Sequence, residues 1–219
     1  VIRASHLTGK LMITFVCANQ KSLIQLRKIV RALPSTVVSS TWANINRASG
    51  NAIMGDKMKH LSGSARLRDS LGDLDLFVSP GSFFQVNPWT ASLIYRRIQD
   101  LLGCSTKKEV VWDLYCGIGI TSMIAINNGF RVLAVEENPY AIEDLNINLK
   151  SNSIDSSSHK IVQAKVEDVL SSSTICPTWT ANPSSIIVNP SRSGLGPKVI
   201  KNLTKRLEGS CDHQIIYIS

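Results

Sequence analysis

One stretch, residues 110–119 (VVWDLYCGIG), constrains the fold of this chain more than any other. Val110 to Tyr115 are mostly apolar, and no glycine or proline interrupts them before Gly117, which favours a short buried strand. Gly117 and Gly119 form a turn ahead of a further apolar run. A strand that leads through a glycine turn into a helix lets a ligand approach the backbone closely, so we expect a binding site here.

Strand-like and helix-like segments alternate from Glu109 to the end of the sequence. Four more strands are predicted, at residues 131–135, 161–166, 185–188 and 214–219. This alternation is typical of an α/β fold with a parallel, doubly wound sheet and right-handed crossovers. Ligands of such sheets bind at the carboxyl ends of the strands.

Caps and apolar stripes predict three helices. Asn87 and Asn138 each precede a proline and are predicted N-caps, and a third helix is predicted to start at Pro197. The residues expected to face the core are Ala91, Ile94, Ile98 and Leu101 in the first helix, Ile142, Leu145 and Leu149 in the second, and Ile200, Leu203 and Leu207 in the third.

The front of the chain is predicted to be a separate basic module. Residues 1–78 hold 11 Lys+Arg against 4 Asp+Glu, whereas the remainder holds 13 against 12. This balance indicates a polyanionic partner, nucleic acid first, with a merely solvated basic face as the alternative. The boundary is predicted at Ser79-Pro80-Gly81, which gives domains 1–78 and 79–219.

Local patterns predict that the front module is a small α/β unit. A strand, a helix and a second strand come first, followed by short strand-like pieces; their residues are 11–17, 21–33, 36–46, 52–54, 65–67 and 74–78.

Several classes of protein are disfavoured. No apolar run reaches the roughly 18 residues of a membrane span, and no signal peptide is visible. The five cysteines are isolated and form no CxxC pair, which argues against a metal site or a disulfide framework. We expect a monomer in the cytoplasm, or in an organelle if a targeting segment precedes Val1.

Glu136 is the leading candidate for binding a cofactor. It ends a predicted strand 19 residues after Gly117, where a carboxylate can accept hydrogen bonds from both ribose hydroxyls of an adenosine-type cofactor. NAD is the first alternative, but Ser122 replaces the third glycine of its pattern, and an acid inside the first strand, Asp113, is foreign to it. A solvated acid at a strand end is the other alternative.

Four segments, in this order, resemble the RNA 5-methyluridine methyltransferases: SFFQVNP (82–88), DLYCGIG (113–119), AVEENPYAIED (134–144) and VNPSRSGL (188–195). The front module is similar to the same family in RASHLTGKLMITFV (3–16), WANINRASGN (42–51) and HLSG (60–63). The resemblance covers nearly the whole chain. It implies a Rossmann-like class I methyltransferase sheet behind a small α/β RNA-binding module. It also implies S-adenosylmethionine as cofactor and methylation of uridine C5 in ribosomal or transfer RNA.

The resemblance also implies which residues bind the cofactor. Gln85 matches the family's glutamine at the cofactor site, Tyr115 matches the aromatic residue beside S-adenosylmethionine, and Glu136 matches the ribose-binding acid. Gly117 and Gly119 match the glycine turn.

Three positions depart from the family pattern. Asn189, which we expect in the cofactor site, stands where the family usually has aspartate; it keeps an acceptor, adds a donor and loses the charge. Ile120 replaces a residue that is often polar, and Ser191 replaces a proline.

The catalytic residues that the resemblance implies lie outside this sequence. The family's nucleophile is a cysteine, expected directly after Ser219, and the general base lies further on. Thiolate addition at uridine C6 makes C5 nucleophilic enough to attack a methyl group; the base then removes the C5 proton, and the thiolate leaves C6. None of the five cysteines matches that position, so we expect the 219-residue chain alone to be catalytically incomplete.

The front module is expected to contact RNA phosphates without reading sequence. The candidate residues are Lys21, Lys28, Arg31, Arg47, Lys57, Lys59, Arg66 and Arg68. Phe83, Phe84 and Trp89 are candidates for stacking on a flipped base, with core packing as the alternative. Some family members carry an iron–sulfur cluster, which Cys17 alone cannot hold.

Two other functions stay open. Asn189-Pro190-Ser191-Arg192 is close to the Asn-Pro-Pro-aromatic motif of amino-methyltransferases, although position 192 is not aromatic. The second alternative is a chain that keeps the fold and binds RNA without chemistry, with an RNA affinity that falls steeply with salt.

Overall fold

A computed structural model describes residues 1–19, 21–47, 53–55, 57–85, 87–107, 109–172, 179, 183–208 and 213–218. The chain divides into two compact units, Val1–Phe83 and Phe84–Ser219. The sequence placed the boundary a few residues earlier, at Ser79-Pro80-Gly81.

The first unit contains a four-stranded sheet in the order β1-β2-β3-β4. Its elements are β1 (Ile2–Ala4), β2 (Leu11–Cys17), α1 (Ser22–Ala32), β3 (Val38–Ile45) and β4 (Lys57–Gly63). Strands β2 and β3 run parallel, with α1 between them in the chain, and the other neighbours are antiparallel. The predicted strand at 11–17, the helix after it and the strand at 36–46 are confirmed, the last two within a few residues.

The remaining strands of the first unit form a hairpin, β5 (Leu67–Leu71) and β6 (Leu74–Val78). A buried carboxylate at Asp69 accepts hydrogen bonds from the backbone N–H groups of His6 and Leu7, which follow β1. This carboxylate therefore fastens the hairpin to the start of the chain. The piece predicted at 52–54 forms no strand at Ile53 and Met54, and Ala52 lies outside the described residues.

The second unit contains a five-stranded parallel sheet, which confirms the predicted α/β class. The strands are β7 (Val110–Leu114), β8 (Arg131–Glu136), β9 (His159–Gln163), β10 (Ser185–Val188) and β11 (Gln214–Tyr217), in the order β11-β10-β7-β8-β9. The third predicted strand, 161–166, is confirmed, but its bounds were wrong: it spans His159–Gln163, and Val166 already begins a helix.

In the described part of this unit, α2 (Pro88–Leu102) precedes the sheet, and α3 (Ile120–Asn127), α4 (Pro139–Ser151), α5 (Val166–Ser171) and α6 (Pro197–Leu207) lie between its strands, with a short 3-10 helix at Ser156–Ser158. Both predicted asparagine caps are confirmed. The Asn87 side chain accepts hydrogen bonds from Trp89 N and Thr90 N, and Asn138 accepts one from Tyr140 N. No helix in the described parts of the chain is both long enough and apolar enough to cross a membrane.

Two of the predicted core stripes need correction. Helix α2 buries Tyr95 and Leu102 beside Ala91 and Ile98, while Leu101 faces solvent. In α6 the buried residues are Val199 and Leu203, whereas Ile200 is 52% exposed. In both helices, apolar residues also occur next to the predicted stripe. Two alternative sets of core-facing residues therefore fit a period near 3.6, and packing against the rest of the unit decides which set is buried.

The core of the second unit lies on the strands themselves. Strand β10 is buried throughout, as is β7 except for Val110, which fits a parallel sheet covered by helices on both faces. Residues of α5 and α6 pack against this sheet; Val166, Leu170 and Val199 belong to the same buried cluster as Trp112.

Candidate functional site

Register brings three of the predicted site residues into one row at the carboxyl edge of the sheet. Leu114, at the end of β7, pairs with Val188 at the end of β10 and with the residue before Glu136 in β8. The next residues, Tyr115, Asn189 and Glu136, therefore leave the sheet side by side. Gln85 and Asn87 precede the sheet, so this register does not place them, and the role of Gln85 stays a prediction.

The strand order reverses between β7 and β10. The chain builds β7, β8 and β9 in one direction and then returns to place β10 on the other side of β7. Such a switch point opens a crevice at the carboxyl ends of the strands, where open α/β sheets bind their ligands. Tyr115 and Asn189 stand on the two sides of this crevice, and the Asn189 N–H donates to the carbonyl of Leu114 at 3.2 Å.

Glycine is favoured at the two positions of the turn for different physical reasons. Gly117 has φ +56°, and a Cβ added there would meet no atom within 4 Å. Gly119 has φ +88°, and its Cβ would lie 2.0 Å from Cδ1 of the buried Leu145 in α4. Gly117 therefore keeps the outer face of the turn open to a ligand, whereas Gly119 allows the turn to pack against α4.

The Glu136 carboxylate is bound at both oxygens by the backbone around the turn. Oε2 accepts from the Gly117 N–H at 3.0 Å and Oε1 accepts from the Asn138 N–H at 2.9 Å. A carboxylate has about four acceptor positions, so it has capacity left for further donors such as ribose hydroxyls. The half-buried Glu136 thus both shapes the turn and remains able to bind a ligand.

Tyr115 holds a left-handed backbone conformation that is uncommon for a residue with a side chain. Its φ is +64°, and its ring packs partly buried against the core cluster of the sheet. Burial raises the pKa of Tyr115, and the nearby carboxylates of Glu167, Glu137 and Glu136 raise it further. Its hydroxyl is therefore neutral near pH 7, and the residue offers an aromatic face and a hydrogen-bonding group.

Asp113 is fully buried in β7, and its side chain binds the first turn of α3 rather than facing the crevice. Its Oδ2 accepts hydrogen bonds from the Thr121 hydroxyl at 2.7 Å and from the Ser122 hydroxyl at 2.6 Å. Its Oδ1 is buried and has no hydrogen-bond partner among the described residues. Ser122 stands at the position of the third glycine of a dinucleotide-binding pattern, and its hydroxyl binds Asp113. That pattern contains neither this serine nor this acid.

Burial governs the protonation of Asp113 and of its neighbour Tyr95 in α2. The pKa of Asp113 is raised to about 6, mainly by burial; the two hydroxyl donors oppose this shift and the charge of Glu136 adds to it. Burial, with a contribution from the Asp113 charge, raises the pKa of Tyr95 to about 12. A buried tyrosine beside this carboxyl was not predicted, because the sequence placed Ile94 rather than Tyr95 on the buried stripe.

None of the cysteines that the structure describes is placed as a nucleophile for this crevice. Cys116 lies in the turn but is buried, and burial raises the pKa of its thiol well above the usual value. Cys104 is exposed, in the loop that leads into the amino end of β7, at the opposite edge of the sheet. Cys17 is buried in the first unit, and Cys176 and Cys211 lie outside the described residues.

Sequence reasoning missed a polar support behind the turn. The buried Asn148 side chain in α4 donates from Nδ2 to the carbonyl of Ile118 at 3.1 Å. Asp144, one helical turn earlier, is also fully buried. The sequence did contain a signal for this support: Asp144 and Asn148 are four residues apart and directly precede the apolar Leu145 and Leu149, so they lie beside the buried face of the helix.

The rings proposed to stack on a flipped base differ from core residues in their exposure. Trp89 is 79% exposed and Phe83 is 67% exposed, so core packing does not account for either ring.

The five-stranded parallel sheet with its crevice is like that of the Rossmann-like S-adenosylmethionine-dependent methyltransferases. No protein-family model matches the chain. An uncharacterised RNA methyltransferase of Oceanobacillus iheyensis is 32% identical over 199 residues, which are 89% of this chain and 41% of that protein. An uncharacterised RNA methyltransferase of Listeria innocua is 30% identical over 224 residues, covering 100% of this chain and 46% of that protein.

A solved structure matches both units. The tRNA (uracil-54, C5)-methyltransferase of Pyrococcus abyssi, in complex with S-adenosyl-L-homocysteine, aligns with a TM-score of 0.72 and 25% identity, over 99% of this chain and 48% of that one. The chain thus spans less than half the length of these relatives.

The contrast between the two glycines predicts unequal effects on stability. We expect Gly119→Ala to lower the free energy of unfolding by about 2–5 kcal/mol, because it combines left-handed strain with overpacking against Leu145. The matched control, Gly117→Ala, should cost only the strain, about 1–2 kcal/mol. Urea unfolding followed by circular dichroism measures both, and equal losses would contradict the proposed role of Leu145.

Asp113 predicts a pH dependence of stability. Because its pKa is about 6 when folded and near 4 when unfolded, the unfolded chain releases this proton first, and unfolding becomes easier as pH rises from 4 to 6. We expect the free energy of unfolding of the wild type to fall by about 2 kcal/mol over that range relative to Asp113→Asn. Urea titrations at pH 4, 5, 6 and 7 test this, and parallel pH curves would refute it.

Proposed function

We propose that this chain is the cofactor-binding part of an RNA methyltransferase that uses S-adenosylmethionine and methylates C5 of uridine. The observation that carries the proposal is the crevice at the switch point of the sheet, where Tyr115, Glu136 and Asn189 stand around an open glycine turn. The likeness to the Pyrococcus abyssi uracil C5 enzyme supports the choice of reaction.

The residues of the crevice fit an adenosylmethionine group. Glu136 would bind the ribose hydroxyls with its remaining acceptor positions, Tyr115 would lie beside the adenosine portion, and the missing Cβ of Gly117 would leave room for the ligand. Asn189 and Gln85 would supply further hydrogen bonds. When bound, S-adenosylmethionine supplies an electrophilic methyl group.

The uridine reaction requires a thiolate that the described cysteines do not provide. A thiolate must add at C6 before C5 becomes nucleophilic, and Cys116 is a buried, neutral thiol. Cys104 lies at the wrong edge of the sheet. In the proposed whole enzyme the nucleophile is therefore a different cysteine, brought to the carboxyl edge of the sheet.

Calorimetric titration with S-adenosylhomocysteine tests the cofactor site. We expect the wild-type chain to bind it and Glu136→Ala to lose at least about tenfold in affinity, because hydrogen bonds to a charged group are worth about 1.5–3 kcal/mol each. Glu137→Ala removes the same charge from the next, exposed residue and should bind within about twofold of wild type, as an exposed charge contributes little.

Circular dichroism of each variant separates lost binding from lost structure, since Glu136 also holds the turn. Absence of binding by a folded wild-type chain would overturn the cofactor assignment and favour an RNA-binding chain without chemistry. Equal losses in Glu136→Ala and Glu137→Ala would remove Glu136 from the site.

Nucleoside analysis tests the uridine assignment. Protein made from the complete reading frame is incubated with S-adenosylmethionine and unmodified ribosomal or transfer RNA, and the digested RNA is analysed by mass spectrometry. We expect 5-methyluridine, absent when Glu136→Ala protein is used. A methylated purine or cytidine in its place would reject C5 of uridine while leaving the methyltransferase assignment intact.

A further inference from the structure

The first unit contains a groove that the proposed methyltransferase chemistry does not use. It encloses about 850 Å³ between α1 and β4, the edge strand of the four-stranded sheet. The cationic residues lining it are Arg27 and Arg31 from the helix and Lys57 and Lys59 from the strand.

The strand register places both lysines on the helix side of the sheet. Lys59 pairs with Ala43 and Lys57 pairs with Ile45 in the antiparallel neighbour β3, and residues directly opposite each other share a face. Ala43 packs with Leu26 of α1, so the face that carries both lysines is the one that α1 covers. Two cations from the helix therefore stand across the groove from two cations of the edge strand.

These four cations are not neutralised within the described part of the first unit. No acidic side chain lines the groove, and none of the four forms an ion pair with a described residue. Arg68, also expected to contact phosphate, instead pairs with Asp75 at 2.8 Å. Positive charge is therefore concentrated in the groove, which favours an anionic occupant.

The spacing of the cations suits a polyanion with a regular repeat. Arg27 and Arg31 are one helical turn apart, about 6 Å along the axis, and Lys57 and Lys59 are two strand residues apart, about 6.7 Å. Successive phosphates of a nucleic acid strand are separated by a similar distance. Each pair can therefore contact two neighbouring phosphates.

The groove also offers apolar surface to the nucleosides. Ile24 is 72% exposed at its edge, and Leu23 and Leu61, which pack with Ala43 and Leu26, line it. Met58 and His60 alternate with the two lysines and point to the other face of the sheet, where the His60 ring lies 4.8 Å from that of Trp42. A positively charged groove that can follow the backbone of the strand is typical of proteins that bind single-stranded nucleic acid.

We propose that this groove binds the sugar–phosphate backbone of a single-stranded RNA segment through Arg27, Arg31, Lys57 and Lys59. The choice of RNA rests on the proposed function; the anionic, repeating character of the occupant rests on the groove itself. The groove holds the substrate RNA at a place distinct from the crevice where methyl transfer is proposed. It fixes position and supplies affinity, because phosphate contacts carry no base information.

Salt-dependent RNA binding tests this assignment. The full chain is titrated into a fluorescein-labelled 12-nucleotide single-stranded RNA between 0.05 and 0.5 M salt, by fluorescence anisotropy. Each phosphate contact contributes about 0.7 to the slope of log K against log salt for single strands. We expect Lys57→Gln/Lys59→Gln to flatten the slope by about 1.4 and to weaken binding about 25-fold at 0.1 M salt.

Lys201→Gln/Lys205→Gln is the matched control. It removes the same charge from two exposed lysines on α6 of the second unit that do not line the groove. We expect its slope to stay within about 0.3 of wild type, since screened charges outside the contact contribute little. Equal slopes for the two double variants would overturn the proposal and leave Lys57 and Lys59 as residues that only protect an edge strand.

Lysine acetylation provides a second readout that does not depend on variants. Protein is acetylated with and without the RNA, and modified lysines are quantified by mass spectrometry. We expect RNA to protect Lys57 and Lys59 but not Lys201 and Lys205, and equal protection of the two pairs would contradict the proposed groove.

Binding of S-adenosylhomocysteine separates this proposal from the proposed function. The groove variants should bind it like wild type, because they lie in the other unit. If the wild type does not bind S-adenosylhomocysteine but the groove variant binds RNA more weakly than the wild type, the methyltransferase assignment is wrong and the RNA groove is supported. If the wild type binds S-adenosylhomocysteine and the groove variant binds RNA as tightly as the wild type, only the RNA groove is wrong.

Discussion

The second unit depends on one carboxylate, that of Glu136 at the end of β8. Its two oxygens accept the N–H groups of Gly117 and Asn138, and so connect the glycine turn after β7 to the start of α4 after β8. Both N–H groups lie in loops at the carboxyl edge, where the sheet ladder supplies no partner. Because the hydrogen bonds are charge-assisted, they are among the stronger ones available to a loop. The crevice is thus shaped by a residue that is also free to receive a ligand.

Strain at the edge of the sheet is offset by bonds on its inner side. Tyr115 holds a left-handed conformation, which costs a residue with a Cβ about 1–2 kcal/mol. Its N–H and that of Cys116 both donate to the carbonyl of Val135, at 2.9 and 3.1 Å. Beneath them, Asp113 fastens the first turn of α3 through two hydroxyls. Hydrogen bonds from β8 and α3 therefore fix the direction in which the Tyr115 ring leaves the strand.

The sequence was sufficient to predict features that depend on local order along the chain. Strands such as 185–188 are apolar runs between breakers, and Asn87 precedes a proline, so both could be located. Strand β4 was not predicted because Lys57, Lys59 and His60 break the apolar alternation; as an edge strand, it buries little of its own surface. The positions of Tyr115, Glu136 and Asn189 at strand ends could be predicted for the same local reason. The partners of Asp113 and the support from Asn148 could not, because they depend on contacts between separate helices and strands.

The different settings of Gly117 and Gly119 bear on how such a chain can diverge. Any descendant that keeps Leu145 against the turn must also keep Gly119, whether or not it binds a cofactor. Gly117 meets no such packing limit, and within the chain only its left-handed φ of +56° favours glycine, by about 1–2 kcal/mol over alanine. A molecule lying over the turn would add a second demand, because it requires the face of Gly117 to be bare. Loss of ligand binding would therefore relax the demand for glycine at position 117 and leave the demand at position 119 unchanged.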